Sequence, residues 1–308
     1  MGLLDSRRNQ YILGAALLAT FIIIPSIANN YIVEVLTNTW FYVVLALGLN
    51  IVVGYAGLLD LGYAAFFAVG AYTTGILCTR YGFNFWLTIP CAVLLGIVVA
   101  VIIGFPTLRL RSDYLAIVTL GFGEITRIAV RNLEIAGRAS GIVGINRPSI
   151  FGMELSQITH FYFVFLILAL LAIFASYRLQ FSRMGRAWQY VREDEDAAEA
   201  MGINRVWVKL NAYIVRSIFA SVAGCFYAVK MTAISPESFS FNQSILVLLA
   251  VVLGGMGKIP GMIFGAFALV LFPEVFRGIG AMRMFVFGLA LLILMIFRPQ
   301  GIWPERRH

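Results

Sequence analysis

Between Arg80 and Arg109 the chain runs for 28 residues without a charged side chain, and between Glu237 and Lys258 for another 20. Runs of this length match a bilayer, whose hydrocarbon core is spanned by a helix of about 20 mainly apolar residues. Ten such segments can be marked, at residues 11–28, 31–53, 57–78, 85–105, 113–132, 159–177, 207–230, 243–257, 260–277 and 282–297. Gly and Pro break the pattern around 54–62 and 254–261. Composition agrees: 61% of residues are hydrophobic and 12% charged, with a mean hydropathy of +0.89. A soluble domain carries about 25% charged residues. The expectation is an all-α polytopic membrane protein of about ten transmembrane helices, one membrane domain over residues 1–308.

The net charge of +8 needs no nucleic acid to explain it, because membrane proteins gather Lys and Arg on the cytoplasmic side. With ten spans and the N-terminus inside, fourteen basic residues fall inside and eight outside, and Arg216 lies within a span. Both termini are therefore expected in the cytoplasm of a bacterial cell, with the chain in its inner membrane and lipid around it. The first run has a second reading. Arg7 and Arg8 precede it and Ser26-Ile27-Ala28 follows, the pattern of a cleaved signal peptide, which would leave nine spans.

Cysteines 78, 91 and 225 all lie in apolar stretches with no C-x-x-C pair, and read as small core residues. Histidines at 160 and 308 make no metal cluster. Gly254-Gly255-Met256-Gly257-Lys258-Ile259 lacks the spacing and the Ser or Thr of a phosphate loop. No enzyme, no metal and no cofactor bound by this chain are expected.

Two segments outside the spans differ in character. Residues 133–158, rich in Gly, Asn, Pro and Ser, form an outer (periplasmic) loop. Residues 178–206 form an inner (cytoplasmic) loop holding five of the fifteen acids. Read as one helix at about 187–200, it places Ala187, Val191, Ala198 and Met201 on one face and Glu193 and Asp196 on the other. Basic residues lead, acids follow, and Gly202 is a natural stop. Such a helix suits docking into a groove of another protein, its charges setting register. A solvated helix with no partner has the same pattern.

Ionisable groups inside spans cost about 2.5–3.5 kcal/mol each on insertion scales, so each should face protein, water or an opposite charge. Glu124 with Arg127, and Glu274 with Arg277, are three apart and can pair on one helix face. Asp60 has no partner near it in sequence and reads equally as a pathway residue or as the cap of the next span. Gly54-Tyr55-Ala56-Gly57 and Gly254-Gly255-Met256-Gly257 form a faint repeat, and paired Gly-broken segments can mark a substrate path. Close helix packing accounts for the same glycines. On the path reading the lining includes Gly54, Tyr55, Gly57, Asp60, Gly62, Thr119 and Glu124.

Asp196-Ala197-Ala198 followed by Gly202 resembles the Glu-Ala-Ala-x-x-x-Gly motif of ABC importer permeases, with Asp in place of Glu. Residues 49–63 and 66–72, then 108–125 with the closing Arg298-Pro299-Gln300-Gly301, are similar to the branched-chain amino-acid permeases, and to the larger of their two paired chains. The resemblance implies a type II importer fold and a heterodimer with a second permease. It also implies two ATPase subunits that bind ATP and magnesium, and a periplasmic binding protein. In that family the inner loop is the coupling helix, which here would hold Arg186, Val191, Arg192, Glu193, Asp194, Glu195, Asp196, Ala197, Ala198 and Gly202. The implied activity is import of branched-chain amino acids. The alternatives are urea or another small amide on the same kind of permease, an ion-coupled carrier using Asp60 and Glu124, or an integral membrane enzyme.

Overall fold

The computed structural model describes residues 20–26, 28–107, 112–150, 153–280, 282–297 and 301. Its helices are α1 (20–26), α2 (Asn30–Asn50), α3 (Tyr63–Arg80), α4 (Phe85–Thr107), α5 (Ser112–Asn132) and α6 (Ile158–Gln180). They continue with α7 (Arg183–Glu193), α8 (Glu195–Ala200), α9 (Arg205–Met231), α10 (Phe241–Gly254), α11 (Ile259–Val275) and α12 (Met282–Phe297). Among the described residues, strands are confined to two short antiparallel pairs. Ile142–Val143 (β1) pairs with Ala233–Ile234 (β4), and Ser149–Ile150 (β2) with Met153–Glu154 (β3).

Two helices form the centre. α2 packs on α6, α11, α9 and α10, and α9 packs on α3 and α4. Rings interlock where they meet: Phe41 stacks on Tyr227 at 5.4 Å, and Phe67 lies edge-on to Tyr227 at 4.9 Å. Offset and edge-to-face pairs of this kind add about 0.5–1.5 kcal/mol beyond their buried area. The α3–α9 seam is closer still. A Cβ at Gly224 would stand 2.8 Å from the Ala71 nitrogen and nearer yet to the Phe67 carbonyl oxygen. Small residues let membrane helices approach in this way.

Among the described residues, five helical segments are long and apolar enough by themselves to cross a membrane: Asn30–Tyr55, α4, α6, α9 and Pro236–Gly254. α11 is apolar but shorter. The segments expected at 57–78 and 113–132 are present as α3 and α5 but are more polar. Their burial explains α3: it lies between α4, α9 and α5 and presents little surface outward, so Thr and Tyr are tolerated along it. The span expected at 57–78 begins only at Tyr63, because residues 56–62 form an irregular turn. The span expected at 243–257 ends at Gly254, where the Gly-rich turn between α10 and α11 begins, and the one expected at 260–277 runs from Ile259 to Val275. The first span falls mostly outside the described residues. Cys78 and Cys225 are buried as expected, but Cys91 is exposed on the outer face of α4. α4 buries a narrow stripe of Ala92, Gly96, Ala100 and Gly104, and Cys91 lies off it.

The inner loop contains two helices rather than one. α7 ends at Glu193 and α8 starts at Glu195, with Asp194 extended between them. The Asp194 carboxylate accepts from the Asp196 and Ala197 amides at 2.9 Å, capping α8. Trp188 joins Val191 and Ala198 in the buried set, while Met201 is 83% exposed. The kink at Asp194 turns Met201 off the face that a continuous helix would give it.

Replacing Gly224 by Val should destabilise the bundle by about 1–3 kcal/mol through overpacking of the α3–α9 seam. A lowered thermal midpoint of the purified protein in detergent checks this. An unchanged midpoint would show that the seam is looser than described.

Candidate functional site

The two Gly-broken segments turn out to be the turns of two helical hairpins, α2–α3 and α10–α11, and they meet. The last turn of α2 passes into a π-helix at Ile51–Tyr55, whose wider register is common at functional sites. Asn50, fully buried at its start, accepts from the Gly257 amide at 2.8 Å. A Cβ at Gly54 would sit 2.6 Å from that same amide nitrogen, so the backbones touch. Gly301 packs against the same turn, where a Cβ would lie 2.6 Å from the Gly255 Cα.

The α2–α3 turn is fixed from below by Asp60. Its carboxylate and the Arg216 guanidinium of α9 form an ion pair with both side chains at 0% exposure. The second Asp60 oxygen accepts from the Gly62 amide at 3.0 Å, at the start of α3. Aromatic faces complete the arginine's surroundings: its guanidinium carbon lies 4.0 Å from the Tyr213 ring centre and 4.4 Å from that of Phe66. A guanidinium over such faces is attracted by the ring quadrupole. Leu61 donates to Thr119 Oγ1 at 3.1 Å, tying α5 to the turn. Thr119 and Gly62 are thus packed backbone to backbone, and Gly123 lies beside them.

Glu124 stands apart from this cluster. It pairs with Arg127 at 2.8 Å, and Arg127 bridges to Glu237 at 3.0 Å in the short helix before α10. Both Glu124 and Arg127 are part-exposed, at 32% and 19%. Of the residues expected along a path, then, Gly54, Tyr55, Gly57, Asp60, Gly62 and Thr119 gather at one end of the bundle. Glu124 lies further along α5 with a different set of partners.

The inner-loop helices sit against that same end. Trp188 is the anchor: its ring is buried and its Nε1 donates to the Val208 carbonyl of α9 at 2.9 Å. Val191 and Ala198 share its cluster with Val52, Tyr55 and Tyr213. Lys209, almost fully buried, reaches Glu195 at 2.6 Å, and Arg205 reaches Glu199 at 3.2 Å and Asp196 at 3.4 Å. The opposite surface faces away from the bundle. It carries Arg186, Glu193 and Ala197 as exposed residues, with Asp196 at 93% exposure. A shallow apolar groove of about 290 Å³ there is lined by Tyr190, Glu193, Asp194, Ala197, Ala198, Met201 and Ile203. Gly202, at φ +84°, closes α8 by donating to the Glu199 carbonyl at 2.9 Å. Arg192 is also exposed, but its Nη1 reaches back to donate to the Gly54 carbonyl at 2.7 Å.

Sequence reading missed Trp188, Lys209, Asn50 and the partner of Asp60. The first two lie beside a motif that was noticed, but only the position of α9 gives them their roles. Among the described residues, no group of three or more His, Cys, Asp and Glu side chains is placed to hold a metal ion.

Removing one member of a buried pair strands the other charge and costs about 3–5 kcal/mol, whereas a well-packed apolar pair can be neutral. Arg216→Ala should therefore abolish a monodisperse peak in fluorescence-detected size exclusion. Asp60→Leu combined with Arg216→Met should recover most of it. Equal loss in both would mean that the pair itself is indispensable to the fold.

Comparison with known proteins accords with this architecture. Residues 31–296 match the family model described as branched-chain amino acid transport system / permease component. The chain is 41% identical to the high-affinity branched-chain amino acid transport system permease protein LivM of Salmonella typhimurium, over 95% of this chain and 74% of that one. It is 25% identical to the probable LivM permease of Methanocaldococcus jannaschii, over 87% and 92% of the two chains. It is also 24% identical to the LivH permease of Salmonella typhimurium, over 74% and 79%. No solved structure matches the chain. These relatives are transport permeases and not enzymes, and the Gly-broken hairpins and the capped inner-loop helices lie within the matched region, while the first span expected at 11–28 precedes it. The chain belongs to the family of branched-chain amino acid transport system permease components, multi-pass membrane proteins built from helices.

Proposed function

We propose that this chain is one of two membrane subunits of an ATP-driven importer that moves branched-chain, hydrophobic amino acids into the cytoplasm. Salmonella typhimurium has both a LivM and a LivH relative of this chain, which supports a paired permease. ATP and magnesium belong to two partner ATPases, and selection of the substrate belongs to a periplasmic binding protein. Both termini and the α7–α8 unit face the cytoplasm, in keeping with the bias of basic residues.

The observation that carries the reading is the α7–α8 unit. It is bonded to the bundle on one side through Trp188 and Lys209, and on the other it offers exposed acids around an apolar groove. A loop that served only to connect α6 and α9 needs no buried tryptophan and no buried lysine held by one of its carboxylates. Charged rims fix register and partner choice in such contacts. An ion-coupled carrier would need a carboxylate that exchanges its partner with the solution. Asp60 is sealed against Arg216, and Glu124 is held by Arg127.

The test is affinity purification of the tagged chain from native membranes, with two phosphate-loop ATPases and a second permease expected in the eluate. Recovery of the chain alone, in a detergent that preserves known importers, would overturn the proposal. Asp196→Lys should leave insertion and thermal stability unchanged, since an exposed substitution shifts stability by about 0.5 kcal/mol or less. Leucine uptake should fall while the complex still hydrolyses ATP. Normal uptake would remove Asp196 from the contact.

A further inference from the structure

We infer that Arg192 is the positioning residue through which movement of the α7–α8 unit reaches the inner mouth of the bundle. This deepens the importer reading and rests on it. The last carbonyls of a helix lack intrahelical partners. At the close of the π-helix the Ile51 and Val52 oxygens are taken by the Ala56 and Leu58 amides, as the turn folds back. The Gly54 oxygen is taken instead by Arg192 Nη1, at 2.7 Å, from a different helix 138 residues further along the chain. A charged donor makes this bond shorter and stronger than one between neutral groups.

The stem of the same side chain lies on Gly57. This glycine has φ +68°, and a Cβ there would stand 2.7 Å from Arg192 Cγ and 3.3 Å from its Cβ. Arg192 therefore grips the turn twice, by its head at Gly54 and by its stem at Gly57. From Gly54 the contact continues. One helical turn back, Asn50 accepts from the Gly257 amide, so the α10–α11 turn follows the α2–α3 turn.

Trp188 and Val191 of α7 share one buried apolar cluster with Val52 and Tyr55 of the turn. Apolar contact holds these surfaces together but has no direction, so it does not by itself transmit a displacement to the turn. The Arg192 bond has direction, and it converts a displacement of α7 into a displacement of both hairpin turns. The far side of the α2–α3 turn is fixed by Asp60 to α9, which makes residues 54–60 a short lever between a driven end and a pinned end.

The experiment uses the complete complex in liposomes, with radiolabelled leucine as probe. ATP-dependent uptake by the wild type establishes the importer reading, and its absence overturns that reading together with this one. Arg192→Ala and Arg192→Lys should keep the ATPase subunits bound and keep ATP hydrolysis near wild type. Leucine imported per ATP hydrolysed should fall about tenfold, inside the usual range for coupling between sites. Gly57→Ala should do the same by displacing the arginine stem, and Gly57→Ala with Arg192→Ala should be no worse than either alone. With wild-type uptake established, an unchanged ratio in Arg192→Ala overturns the inference. So does a loss of hydrolysis and uptake in equal proportion, which a merely structural residue would give.

Discussion

A charged pair with no access to water governs this bundle. Asp60 and Arg216 are both fully enclosed, in a region otherwise built of Tyr, Phe, Val and Ala. Either group alone would be intolerable there, so the α2–α3 turn and α9 must arrive together in one register. Once they do, Asp60 also caps α3, Thr119 is drawn to the Leu61 amide, and α5 takes its place against the turn. The rings of Phe66 and Tyr213 then enclose the guanidinium on faces that attract it. Three helices owe their relative positions at this end to one pair of charges.

The inner-loop unit depends on the same geometry at one remove. Trp188 donates to α9 eight residues before Arg216, and Lys209 holds Glu195 from the next residue. α9 thus carries both the pin for the α2–α3 turn and the mount for α7 and α8. Its polar residues Lys209, Arg216 and Ser217 are buried while Trp207 is exposed, the reverse of what hydropathy alone would assign. That reversal marks a helix whose partners are protein on nearly every side.

Much of this was legible in the chain. Apolar runs bounded by charges gave the helices, because lipid tolerates few polar interruptions. The Glu124–Arg127 and Glu274–Arg277 pairs followed from a spacing of three, and both are present. The glycine clusters announced two breaks but not that they touch, since contact between residues 50 and 257 is a property of the assembled bundle. The inner loop read as one helix because its apolar residues keep helical spacing through Asp194. The cap that Asp194 makes is stronger than its propensity to continue a helix, and it splits the unit. Arg216 was visible as a charge inside a span, and Asp60 as one without a neighbour. Joining them needed the fold, because pairing across 156 residues leaves no local pattern.

The two ends of the bundle are held by different physics. At the end away from α7, the links are ion pairs with at least one part-exposed member: Arg127 with Glu124 and Glu237, Lys230 with Glu34, and Arg277 with Glu274. Pairs in contact with water are worth about 0–1 kcal/mol and exchange readily with solvent. At the α7 end, the links are an enclosed ion pair, a guanidinium on a backbone carbonyl, and glycines in backbone contact. A bundle joined in this way does not flex evenly. Force applied through α7 enters at the joined turns of the stiff end, and the yielding contacts are those at the opposite mouth. A permease that must open to one side at a time gains from that asymmetry, because a single displacement changes one mouth without first dissolving the other.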